Sequence, residues 1–79
     1  MKIPAIKQLV EKYDIPQLQA AEEALLNEQT PEIEIEGSDE GEQLTHVLAA
    51  IEILGHMQNG LSFPEALRKY TGRVRSSIQ

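Results

Sequence analysis

Glu42 precedes His46 by four residues and Glu52 precedes His56 by four, so each pair can meet on one face of a helix, as carboxylate and imidazole ligands of a metal ion would. Di-iron carboxylate bundles set Glu and His three apart and add glutamates from facing helices; the spacing here is four. His46 and His56 are ten residues apart, which puts them about 80° out of phase at 3.6 residues per turn. The two pairs therefore do not build one site within a chain. They read as surface helix contacts or hydrogen-bonded interface groups, and no metal or other cofactor is expected. Either imidazole remains a group whose charge can change near neutral pH.

The basic residues Arg68, Lys69, Arg73 and Arg75 follow a turn at Gln58 to Ser62 between two helical stretches, helix-turn-helix topology at its crudest. They form a candidate partner surface. Read as a nucleic-acid contact, they make the chain a small regulator, the alternative to a protein-binding role. Duplex binding needs several phosphate contacts, and Glu65 sits in the first turn of what would be the reading helix. Glu22, Glu23, Glu28, Glu32, Glu34 and Glu36 read as a solvated face, or as a surface for a basic partner. Asp39-Glu40-Gly41-Glu42 lacks the ligand spacing of a calcium loop. Ser62, Ser76 and Ser77 have no histidine and acid placed to form a triad, so no catalytic residue is assigned and the chain reads as non-enzymatic.

These residues need elements to hold them. Ile3, Ile6, Leu9, Val10 and Tyr13 recur at helical spacing, with Pro4 in the opening turn. Asp14 stands three before Gln17, a capping box for a second helix carrying Leu18, Ala21, Leu25 and Leu26, and Thr30-Pro31 is expected to end it. Glu32 to Glu36 alternates with period two. That pattern fits a strand needing a partner, such as the same segment of a second copy, or an extended loop whose Ile33 and Ile35 plug a groove. The longest helix, about residues 39 to 58, opens on Ser38, Asp39, Glu40 and Glu42, where its dipole favours negative charge. Leu44, Val47, Leu48, Ile51 and Leu54 make one stripe, and Ala49, Ala50, Ile53 and Met57 extend apolar surface onto an adjoining face. So broad an apolar surface implies burial on several sides. Asn59-Gly60 stops it, and Ser62-Phe63-Pro64-Glu65 caps a fourth helix with Phe63, Ala66, Leu67, Tyr70, Val74 and Ile78 inward; Gly72 is expected to bend or weaken it.

At 79 residues without cysteine, the chain can bury only about 60% of its unfolded surface and has no disulfide to help. The hydrophobic share of 41% with 4% aromatic favours aliphatic helix packing over base-stacking surfaces. The charge is blocked, net +2 over residues 1–13, −12 over 14–65 and +4 over 66–79. Such blocks can attract one another within the fold or between subunits. Lys7 and Glu11 interrupt the opening before any long apolar run, so neither a signal peptide nor a membrane span is expected, and the cytoplasm is the expected location.

Met1-Lys2-Ile3-Pro4-Ala5-Ile6-Lys7, Glu40-Gly41-Glu42-Gln43-Leu44, the Met57 to Gly60 stop, Ala66-Leu67 and Arg73-Val74-Arg75-Ser76-Ser77-Ile78 together resemble a small family of uncharacterised bacterial proteins of about this length. The resemblance spans most of the chain and implies a bacterial, cytosolic protein. It carries over no catalytic or binding residue. The expectation is one domain over residues 1–79, mostly α, with four helices and a short extended segment between the second and third. It should act as a homodimeric interaction or scaffolding module, with Val47, Leu48, Ile51 and Leu54 as core and dimer interface. Besides a second copy, another cytosolic protein is the partner to look for.

Overall fold

The computed structural model describes the backbone of residues 2–78 and the side chains of residues 2–75; those of Ser76, Ser77 and Ile78, named above, lie outside the described set. Four helices follow in order, α1 Ile3–Lys12, α2 Ile15–Leu26, α3 Glu40–Gln58 and α4 Phe63–Ile78, and no strand occurs among the described residues. Pro4 occupies the first turn of α1, where a missing amide hydrogen costs nothing. Tyr13 is extended and ends the helix, and Asp14 at once starts the next. The Gln17 amide donates to Asp14 Oδ1 at 2.9 Å while the Asp14 amide donates to Gln17 Oε1 at 3.0 Å. Two of the free amides at the start of α2 are thereby satisfied reciprocally.

Helix α2 ends at Leu26, four residues before the expected boundary at Thr30. The reason is Glu28, whose backbone is left-handed at φ 58. Its amide donates to the Leu25 carbonyl at 3.1 Å and that of Gln29 to the Ala24 carbonyl at 2.7 Å, the paired bonds of a left-handed helix cap. A glycine usually fills that position, as Gly60 does at φ 100 after α3.

Residues 29–39 cross from α2 to α3 without pairing as a strand, and Ile33 and Ile35 lie half-buried against the core. Of the two readings of this segment, the plugging loop is the one seen in the single chain. Gly37 allows it to lie close to α3, since a Cβ there would stand 2.8 Å from Gln43 Cγ and 2.9 Å from the Gln43 amide nitrogen. Gln43 Nε2 in turn donates to the Ile35 carbonyl at 3.2 Å. Asp39 caps α3 by accepting from the Glu42 amide at 2.7 Å, and the Glu42 carboxylate accepts from the Ser38 amide at 2.8 Å.

Helix α3 is the centre of the molecule and packs on α1, α2 and α4. Val47, Ala49, Ala50 and Ile53 are fully buried, as are Ile6 of α1 and Leu18 of α2. The face expected to adjoin the main stripe is thus the core face. Two alanines on it let neighbouring helices approach closely. Helix α4 starts on the expected box, with Ser62 and Glu65 exchanging bonds at 3.0 and 3.3 Å. It continues through Gly72 as an unbroken helix, so the weakening expected past Thr71 does not interrupt it.

Candidate functional site

His46, read from the sequence as a surface or interface group, is wholly buried. Its Nε2 lies 3.0 Å from the Lys2 backbone nitrogen, which can only donate, so Nε2 accepts. The ring proton is then on Nδ1, which donates to the Glu36 carbonyl at 2.6 Å. A neutral ring of fixed tautomer thereby ties the start of α1 and the loop before α3 to the middle of the fold. The missed signal was phase: His46 precedes Ala49, Ala50 and Ile53 by three, four and seven residues, so it shares their face.

Glu52 and His56 do meet on α3, with Nε2 to Oε2 at 3.4 Å. The closer partner comes from α4. Arg73 Nε donates to Glu52 Oε2 at 3.0 Å and its Nη2 donates to Oε1, a bidentate pair joining the two helices. The Arg73 guanidinium also lies 5.9 Å from the centre of the Tyr70 ring. Hydrogen bonding to Arg73, with a smaller contribution from His56, holds the Glu52 carboxyl below its ordinary value and raises that of Arg73. Burial, with the Glu52 charge, raises the Tyr70 hydroxyl. Of the four expected partner-surface residues, Arg73 is therefore engaged inside the chain, while Arg68, Lys69 and Arg75 are exposed on α4. Among the described residues, no group of three or more His, Asp or Glu side chains gathers closely enough to hold a metal ion.

The remaining feature is the outward side of α3. Val47 turns inward completely, Ile51 and Leu54 are half-buried, and Leu48 is 43% exposed. Leu44, Leu48, Ile51 and Gly55 recur at intervals of four, three and four residues along that side, the repeat by which one helix packs into another. An added Cβ at Gly55 would meet nothing within 4 Å. The stripe thus has one bare position at its carboxyl-terminal end, and the Glu52–Arg73 pair neutralises the charge on its edge. Leu44 and Gly55 were not singled out as interface residues from the sequence, although their spacing was visible there. Elsewhere, an open cleft of about 500 Å³ lies between α2 and residues 29–33, with Ala20, Ala24, Thr30 and Ile33 on its walls.

Among the described residues, no helix is long and apolar enough to cross a membrane. No curated protein and no solved structure matches the chain. The model of one family of unknown function, DUF6952, matches residues 1–79. With the match running through all four helices, the chain belongs to that family.

Proposed function

We propose that this protein is a non-catalytic interaction module that works as a homodimer, joined through the outward side of α3. The observation that carries the reading is the stripe Leu44, Leu48, Ile51 and Gly55 on the outward side of the central helix, where Leu48 is exposed and the other three are half-buried. Leaving such a stripe wet forgoes hydrophobic stabilisation that a second helix would supply. With the dimer formed, the acidic loop of residues 28–36 and the exposed Arg68, Lys69 and Arg75 remain to meet a further protein.

The test is solution mass by light scattering across protein concentrations, for the native chain and for Leu48→Glu. Leu48 is the most exposed member of the stripe, so the substitution should leave a folded monomer where the native chain gives a dimer. A native monomer at all concentrations, or a dimer unaffected by Leu48→Glu, would remove the basis for the reading. The alternative regulator would contact nucleic acid through Arg68, Lys69 and Arg75, without Arg73. Its signature is binding that weakens steeply with salt.

A further inference from the structure

The stripe also specifies how two copies meet. Resting on the homodimer reading above, we infer that the α3 helices pair antiparallel about a two-fold axis lying between Leu48 and Ile51. In that arrangement residues whose numbers add to a constant face each other: Leu48 of one copy meets Ile51 of the other, and Leu44 meets Gly55. The pairing matches sizes. Leu44 is large and half-buried, with part of its surface left to solvent, and Gly55 opposite is bare with open space above it. A knob then meets a hole at both ends of the stripe, by symmetry.

Parallel pairing in register does the reverse. It sets Leu44 against Leu44 and Gly55 against Gly55, crowding one end and leaving a gap at the other. It also gathers two copies of the acidic opening of α3, Asp39, Glu40 and Glu42, at one end. Antiparallel pairing puts these acidic turns at opposite ends and opposes the helix dipoles. On the long edges of the stripe, Thr45 and Glu52 lie on one side and Val47 and Leu54 on the other. Val47 is wholly buried in its own subunit, so the half-buried Leu54 is the apolar side chain left on its edge, and antiparallel pairing, which sets each edge beside its own kind, keeps it away from the partner's Glu52 edge. Glu52 keeps its Arg73 partner.

The absence of cysteine from the chain makes cross-linking a direct test. Leu44→Cys and Gly55→Cys are made as separate single variants, mixed, allowed to exchange and oxidised. In the antiparallel dimer two copies of position 44 stand about 16 Å apart along the axis, beyond disulfide reach, and so do two copies of position 55. The expected result is a disulfide-linked dimer in the mixture and none from either variant alone. Linked dimers from each variant alone would show parallel pairing, overturning this inference while leaving the homodimer standing. No cross-link in any sample, with native chain at dimer mass, would place the interface elsewhere and overturn it too. A native chain at monomer mass would remove both readings.

Discussion

His46 does structural work that its neighbours cannot replace. It is fully buried and both ring nitrogens are used, one accepting from Lys2 and one donating to Glu36. Truncation would leave a cavity beside an unpaired amide and an unpaired carbonyl. His46→Ala is therefore expected to lower unfolding free energy by about 2–4 kcal/mol, read from denaturant midpoints at constant slope. A loss below about 1 kcal/mol would mean that water or a shifted loop takes over both bonds. The Glu52–Arg73 pair lies nearer the surface, with Arg73 60% exposed, and solvent weakens it. Arg73→Gln should lower stability only slightly at neutral pH, because solvent screens the pair. The pH dependence has a definite sign. The Glu52 carboxyl in the fold is held below 4.5 by Arg73, so the pair's contribution is present above 4.5 and is lost as pH falls through the lower folded value. Stability curves of native and Arg73→Gln protein should converge in that acid range; a gap that stays constant to pH 2 would assign the loss to packing on Tyr70 instead.

At the scale of elements, what the sequence makes legible is what is decided locally. Asp14 with Gln17, and Ser62 with Glu65, close capping boxes within four residues, so the starts of α2 and α4 stand where those residues put them. Gly60 marks the end of α3 for the same reason. The end of α2 escaped because Glu28 carries no compositional sign of a left-handed backbone; Pro31, three residues on, carried a stronger and misleading one. The facing of α3 escaped for a different reason. The helix is apolar nearly all round, and large leucines outweigh alanines in any hydrophobic pattern. The buried face is the mixed one of His46, Val47, Ala49, Ala50 and Ile53, so Ala49 and Ala50 lie in the core while Leu48 is exposed. Glu28 supplies a test of the local half of this account. A left-handed conformation costs a non-glycine residue about 1–2 kcal/mol. Glu28→Gly relieves that strain against the greater freedom of glycine when unfolded, for a net gain near 1 kcal/mol. A destabilised Glu28→Gly protein would mean that the glutamate side chain itself supports the turn.

For the whole molecule, the blocked charge finds its use in tying the chain's ends to its middle. Lys2 of the basic amino-terminal block stands 3.9 Å from Glu36, and Arg73 of the carboxyl-terminal block holds Glu52. Both contacts act inside the subunit, and in the proposed dimer apolar contact along α3 would join two subunits. Gly55 separates these two levels. Within the subunit a Cβ there meets nothing within 4 Å, and alanine is favoured over glycine inside a helix by about 1 kcal/mol. Gly55→Ala should therefore raise the stability of the isolated fold by about that amount, measured at concentrations low enough for the native chain to be monomeric. In the proposed antiparallel dimer the same methyl group would occupy the space into which the partner's Leu44 packs, twice per assembly. The dimer dissociation constant should accordingly rise tenfold or more, opposite in sense to the gain in the fold. A substitution that strengthens the subunit and weakens the pair cannot be explained by damage to folding. If Gly55→Ala instead stabilises the fold and leaves association unchanged, the glycine lies outside the contact, and the stripe joins its partner, if at all, through its Leu44 to Ile51 half.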